Sequence, residues 1–144
     1  MITAIALLLI LVFSFLSALH VYWGFGGRRG SAAVLPTKDD TRKVMMPGAV
    51  PTFTVALGLL CLGGVVFLNT FEIETGPAAL IGLIRKYGLW AIATVFLLRA
   101  VGDFNYIGFF KKVKTTRFAR NDTRYYSPLC LLIGLLAIVL EINK

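Results

Sequence analysis

The amino-acid sequence predicts an all-α protein, a four-helix transmembrane bundle that forms one domain over residues 1–144. The chain is 58% hydrophobic and only 15% charged, whereas soluble domains carry about 25% charged residues. Its mean hydropathy is +0.81. Four apolar runs divide the chain, and a helix that spans a bilayer needs about 20 predominantly apolar residues. Composition and run length therefore both favour a membrane protein over a soluble domain with a large core.

The apolar runs predict helices over residues 2–23, 51–71, 88–110 and 125–142. The first run has no basic residue at its start and is longer than the apolar part of a signal peptide, so we expect a retained helix. Pro51 suits the first turn of the second helix, where its missing N–H costs nothing. Gly76-Pro77 separates the second helix from the third, with a short interfacial helix predicted over 77–84.

Basic residues are concentrated in two of the three predicted loops, and the net charge is +8. The second loop, residues 72–87, has only Arg85 and Lys86. The positive-inside rule therefore predicts that loops one and three are cytoplasmic and that both termini lie outside. The basic residues of these two loops are Arg28, Arg29, Lys38, Arg42 and Lys43 in the first, and Lys111, Lys112, Lys114, Arg117, Arg120 and Arg124 in the third.

The expected partners of this positive charge are the lipid bilayer and its anionic headgroups, not nucleic acid, because no nucleic-acid-binding module fits the spacing. Arg117, Arg120 and Arg124 have the spacing i, i+3 and i+7, which gives one basic face if the segment is helical. These three arginines are the predicted headgroup contacts.

The sequence indicates no metal site and no particular cofactor. Cys61 and Cys130 lie in apolar runs without a CxxC pair, and a single histidine with few acids cannot supply a multi-ligand metal set. No paired carboxylates and no Ser-His-Asp set share one depth. Whether the protein is an enzyme stays open, and the sequence favours a role without catalysis.

The third predicted helix contains two charged side chains. On a continuous helix, Arg99, Asp103 and Tyr106 fall within an arc of about 60°, and the first two have the i, i+4 spacing of an ion pair. Arg99 would lie about 16 Å from the helix start, near the bilayer midplane. Because a charge there is costly, this face is expected to point into the bundle. His20 and Trp23, on the first helix, would lie at a depth close to that of Asp103.

These five side chains, His20, Trp23, Arg99, Asp103 and Tyr106, are the predicted ligand- or proton-binding site. One interpretation is a structural clasp in which Arg99 pairs with Asp103. The other is a small-molecule, lipid or proton/ion binding or transport-type module, with Asp103 as the proton or cation partner and Arg99 as the anion anchor. A membrane enzyme or redox accessory subunit that holds a quinone-like or lipid ligand is an alternative. A structural or assembly subunit, paired with a second copy or a membrane partner protein, is another.

The segments LHVYWGFGG, after the first helix, and FLLRAVGDFNYIGFFKKVKTTRFARNDTRYYSPLCLL, over residues 96–132, carry a family resemblance. The whole chain resembles an uncharacterised family of small four-span bacterial integral membrane proteins. The resemblance implies a multi-pass protein of the bacterial inner (plasma) membrane. It implies no activity, substrate or cofactor.

Overall fold

The computed structural model describes residues 1–35, 47–71 and 77–144 of the chain. Lys38, Arg42, Lys43 and Gly76, which the sequence analysis used, lie outside these residues. Within them every regular element is helical. The elements are α1 (Ile2–Gly24), α2 (Ser31–Val34), α3 (Ala49–Thr70), α4 (Ala78–Val101), α5 (Arg117–Asn121) and α6 (Ser127–Ile142), with a π-helical segment (Asp122–Tyr126) that joins α5 to α6.

Four helical segments are long and apolar enough to cross a membrane, which confirms the predicted four-helix architecture. They are α1, α3, α4 and the continuous run Arg117–Ile142. Phe25, just after α1, packs against Phe53 near the start of α3, so these two helices are antiparallel. Arg99, near the end of α4, bonds to Asp122, just before α6. The end of α1, the start of α3, the end of α4 and the start of α6 lie at one end of the bundle, which we call the loop end.

The bundle consists of two helical hairpins. α1 packs mainly against α3, and α4 mainly against α6, with less contact between the two pairs. A shared core joins them: Phe13 of α1 and Phe96 of α4 are both buried, and their ring centroids are 5.5 Å apart. A Cβ on Gly134 of α6 would lie 2.8 Å from the Leu97 side chain. The close approach of α6 to α4 therefore needs a glycine there.

The predicted bounds of the third helix are wrong at both ends. α4 starts at Ala78, after Pro77 at the N-cap, so the predicted interfacial helix over 77–84 is the beginning of α4 itself. It ends at Val101 rather than at residue 110. Gly102 has φ +93°, and its N–H donates to the Leu98 carbonyl. This positive-φ backbone, which glycine adopts without a Cβ penalty, ends the helix.

The last helical run also starts earlier than residue 125. Thr116 is the N-cap of α5, since its Oγ1 accepts a 3.1 Å hydrogen bond from the Ala119 N–H. From there the chain stays helical through the π-helical segment and into α6, where Pro128 occupies the first turn. Ser127-Pro128 is therefore only the point where the π-helical segment gives way to α6.

Candidate functional site

The first of two polar arrays at the loop end is centred on the buried Asp122, which is 0% exposed. Its Oδ1 accepts a 2.9 Å bond from Arg99 Nη2. Its Oδ2 accepts from the Gly108 N–H at 2.8 Å, from Lys111 Nζ at 3.0 Å and from Ser127 Oγ at 3.1 Å. We call Arg99, Gly108, Lys111, Asp122 and Ser127 the Asp122 cluster.

Lys111 is as deeply buried as the carboxylate, at 2% exposed. Besides Asp122, its ammonium donates to the Gly108 carbonyl at 2.8 Å and to Thr123 Oγ1 at 2.6 Å. An ammonium has three N–H donors, so all of them are used. Arg99 is less enclosed, with 32% of its side chain exposed. Its Nη1 is buried and has no hydrogen-bond partner within the described residues.

The Asp122 cluster joins three parts of the chain: the end of α4, the loop that follows it and the start of the last helical run. A charge removed from water is tolerated when it is paired and hydrogen-bonded. Here the carboxylate has four donors and the ammonium three acceptors. The geometry is therefore that of a structural clasp.

Arg99 is thus part of a clasp, but its partner and its depth were predicted wrongly. It lies in the last turn of α4 rather than near the middle of a helix, so its charge lies toward one end of a membrane-length helix. The shared helical face of Arg99, Asp103 and Tyr106 does not exist, because Asp103 and Tyr106 follow the helix end at Gly102.

Asp103 organises the loop instead. Its Oδ1 accepts hydrogen bonds from the N–H groups of Asn105, Tyr106 and Ile107 at 2.9, 2.7 and 2.9 Å. The side chain is exposed, and these donors, Ile107 first, hold the pKa of the Asp103 carboxyl below its ordinary value. Three N–H donors around one oxygen stabilise the ionised form.

His20 and Trp23 lie together near the end of α1, with ring centroids 5.1 Å apart. His20 Nδ1 is 2.8 Å from the Leu16 carbonyl, so this nitrogen carries the donated hydrogen. Trp23 Nε1 donates to the Arg29 carbonyl at 2.9 Å. In the part of the chain that the structure describes, no hydrogen bond or ring contact joins either residue to Arg99, Asp103 or Tyr106. That these five residues bind a ligand or a proton stays a prediction.

The second polar array at the loop end is open. A cavity of about 400 Å³ is lined by three arginines and three small or neutral residues. One wall is the segment after α1 and the other is α5, so the two hairpins face each other across it. We call it the arginine pocket, and its lining residues are Arg28, Gly30, Ala33, Arg117, Arg120 and Asn121.

A few contacts position the walls of the arginine pocket. Arg120 Nη1 donates to the Thr115 carbonyl at 2.6 Å, and the buried Phe118 anchors α5 on its inner side. The Tyr126 hydroxyl donates to the Ala33 carbonyl at 3.3 Å, which links the two walls directly. Gly30, with φ +77°, turns the chain into α2.

Two of the three predicted headgroup residues lie at this pocket. Arg117 and Arg120 line it. Arg124 does not, and its guanidinium lies 5.3 Å from the Tyr125 ring centroid. Arg28, the third arginine of the pocket, was not predicted, because nothing in the sequence shows that loops one and three meet. Asp122 was not predicted either, although it is a lone acid in a strongly basic segment.

No set of three or more His, Cys, Asp or Glu side chains within residues 1–35, 47–71 and 77–144 could hold a metal ion. The fold is that of a small multi-pass membrane protein, with a buried ionic clasp and an open basic pocket at one end of the bundle. Residues 13–137 match a family described as "Protein of unknown function (DUF3995)", and the chain belongs to that family. The predicted resemblance to an uncharacterised family is thereby confirmed. No curated protein and no solved structure matches the chain.

Proposed function

We propose that this protein is a membrane-embedded binding module and that its ligand is a phosphate-bearing anion held in the arginine pocket. The observation that carries the proposal is the composition of that pocket. Arginines from two separate segments line one cavity, and no acidic residue is among its described lining residues. Such a lining favours an anion.

The chemistry of the arginines narrows the choice of anion. A guanidinium presents five N–H donors in a planar fork that matches the oxygens of a phosphate. Arg120 uses Nη1 on the Thr115 carbonyl, and this one bond occupies one of the five N–H donors of its guanidinium. The cavity volume also lies in the range of about 300–1,000 Å³ that is typical of small-ligand sites.

The place of the pocket in the fold supports a lipid headgroup as the source of the phosphate. Its walls lie just beyond the end of α1 and just before α6, at the level where headgroups begin if these helices span a bilayer. The positive-inside rule would place this end in the cytoplasm, where the leaflet carries anionic lipids. A binding role is also favoured over a proton relay, because Arg99 and Asp103 lie at the end of α4 and in the loop after it.

The proposal is tested by measuring lipid binding to the full chain with native mass spectrometry. Phosphatidylglycerol and phosphatidic acid are the probes, and phosphatidylcholine is the reference. Arg117→Ala/Arg120→Ala is expected to weaken binding of the anionic lipids at least about tenfold, the loss of two charge-assisted contacts. Arg124→Ala, which removes one positive charge outside the pocket, is expected to change it less than about twofold. Equal losses in both variants, or no loss in the double variant, would contradict the proposal.

A further inference from the structure

We infer that the loop after α4 lies in the interfacial layer of the bilayer, with its phenylalanine rings at the boundary between headgroups and acyl chains. We call residues 102–113 the aromatic loop, and its exposed rings are those of Phe104, Phe109 and Phe110. The inference goes beyond the proposed function, because it concerns a different surface and does not require a ligand in the arginine pocket.

The aromatic loop exposes apolar side chains outside any helix. Phe104 is 56% exposed and Phe110 is 65% exposed, and their ring centroids are 6.5 Å apart. A single exposed apolar residue needs no explanation, but a cluster indicates a surface that contacts a protein or a membrane. Phe104 also has φ +62°, a left-handed backbone that is uncommon for residues with a Cβ. The loop thus presents a large ring at a position that a glycine would occupy more easily.

The backbone of the aromatic loop is largely hydrogen-bonded within the protein. Asp103 accepts from the N–H groups of residues 105–107, and Asp122 accepts from the Gly108 N–H. Three further N–H groups donate to backbone carbonyls, those of Phe109 to Ala100, Lys112 to Phe104 and Val113 to Asn105. Backbone N–H groups need partners in the protein wherever water is scarce. This loop is therefore suited to the edge of a bilayer.

The position and the charge of the aromatic loop favour lipid over a protein partner. The loop begins at Gly102, directly after α4, a helix long enough to cross a membrane. Lys112 and Lys114 follow the rings in the chain and are exposed, and residues 104–121 contain no acidic residue. Aromatic rings with lysines close by are typical of segments at a bilayer surface, where the ammonium groups meet anionic headgroups.

The irregular backbone of the loop limits the depth of insertion. Such backbone does not occur facing lipid within the hydrocarbon region, whereas interfacial segments bury their apolar side chains about 5–10 Å into the boundary of headgroups and acyl chains. The long side chain of Lys112 allows its charge to stay among the headgroups while the rings point deeper. The apolar run that continues past Gly102 then reflects contact with the bilayer without a helix.

The inference is tested by tryptophan fluorescence of Phe104→Trp and Phe110→Trp in nanodiscs of phosphatidylcholine and phosphatidylglycerol. The signal of the parent protein, which comes from Trp23 and Trp90, is subtracted. Lipids brominated near the top of the acyl chain are expected to quench each new tryptophan at least about twofold more than lipids brominated near the chain end, because interfacial side chains lie at that depth. Iodide in the water should quench it least. Any other order of the three quenchers would overturn the inference.

Thr115→Trp is the control for the introduced tryptophan, since Thr115 is exposed and follows the aromatic loop. Its fluorescence is expected to be quenched mainly by iodide. If the brominated lipids quenched it as strongly as the tryptophans at Phe104 and Phe110, a tryptophan would reach the bilayer from any exposed position. That result would overturn the assignment of the surface to the phenylalanines.

Native mass spectrometry of Phe104→Ser/Phe110→Ser in mild detergent distinguishes lipid from a second copy of the chain. The assembly is expected to have the same number of chains as the parent protein. A smaller assembly would mean that another copy covers the rings, and would overturn the inference.

The inference and the proposed function can fail separately. Adding Arg117→Ala/Arg120→Ala to either tryptophan variant is expected to leave the order of the quenchers unchanged, because the rings and the arginine pocket are different surfaces. A changed order in that background would overturn the inference that the loop lies in the bilayer independently of the pocket. Loss of arginine-dependent lipid binding with an unchanged order would overturn the proposed function alone.

Discussion

The Asp122 cluster and the arginine pocket lie at the same end of the bundle and both contain basic side chains. They differ in how deeply their charged groups are buried. In the cluster, Asp122 and Lys111 are almost fully buried and every donor of the ammonium has an acceptor. In the pocket, three guanidiniums face an open cavity whose described lining contains no acid. Buried ionic groups with internal partners maintain a fold, and we propose that the open cavity holds a ligand. Substitutions should therefore affect stability in the first array and binding in the second.

The largest expected effect is that of Asp122→Asn on stability. The amide keeps the shape of the carboxylate but removes the charge that compensates Lys111 and Arg99. Loss of one partner from a buried ionic group typically costs about 3–5 kcal/mol. We expect a decrease of that size in the free energy of unfolding, measured by detergent-induced unfolding in micelles.

The matched control for Asp122→Asn is Glu141→Gln at the opposite end of the bundle. Glu141 pairs with Lys144 at 2.6 Å, but that lysine side chain is 31% exposed. Pairs accessible to water contribute at most about 1 kcal/mol. If the two substitutions cost the same, burial would not be what distinguishes the Asp122 cluster.

The sequence identified Arg99 as an unusual residue but assigned it the wrong partner. The i, i+4 argument holds only while the helix continues, and α4 ends at Gly102. A glycine followed by an aspartate is a local signal for a helix end, and here the Asp103 carboxylate accepts from the N–H groups of Asn105, Tyr106 and Ile107. The apolar residues continue past this glycine, however, so hydropathy predicted a helix that extends to residue 110. Helical periodicity could not reveal Asp122, since only the fold of the intervening loop brings it to Arg99.

The local structure around Arg117 and Arg120 was predicted more accurately than that of the third helix, predicted over residues 88–110. The spacing of Arg117, Arg120 and Arg124 indicated one basic helical face. Arg117 and Arg120 lie within one short helix, α5, and line one pocket, whereas Arg124 does not line it. That prediction needed only local structure. The contribution of Arg28 depends on the contact between loops one and three, a tertiary feature that a single sequence does not contain.

A second expected effect on stability concerns the backbone of the Asp122 cluster. Gly108 has φ +87°, its N–H donates to Asp122, and a Cβ there would clash with the Val101 carbonyl. Gly108→Ala should therefore lower the free energy of unfolding by at least about 2 kcal/mol. Thermal unfolding in the same micelles measures it.

Gly58→Ala is the control for this glycine. A Cβ on Gly58, within α3, would meet open space, and alanine is favoured over glycine inside a helix by up to about 1 kcal/mol. We expect no loss, or a small gain. A similar loss at both positions would mean that the loop conformation is not what requires Gly108.

The smallest expected effect distinguishes Asp103 from Asp122, two carboxylates satisfied in different ways. Asp103 is exposed and is held by backbone N–H groups that lower the pKa of its carboxyl. A carboxyl with a lowered pKa in the folded state stabilises the protein above its unfolded pKa and loses that contribution as the pH falls through the folded value. Asp103→Asn should therefore reduce stability modestly and evenly from pH 7 to about pH 5.

Below about pH 4 the difference between the parent protein and Asp103→Asn should shrink, because the parent then becomes protonated and loses the same charge. Unfolding measured over this pH range at fixed ionic strength follows the difference directly, since all other titrating groups are common to both proteins. A difference that grew on acidification would mean that the N–H groups of Asn105, Tyr106 and Ile107 do not favour the ionised carboxylate. The loop would then depend on the shape of the Asp103 side chain, whereas the Asp122 cluster depends on charge.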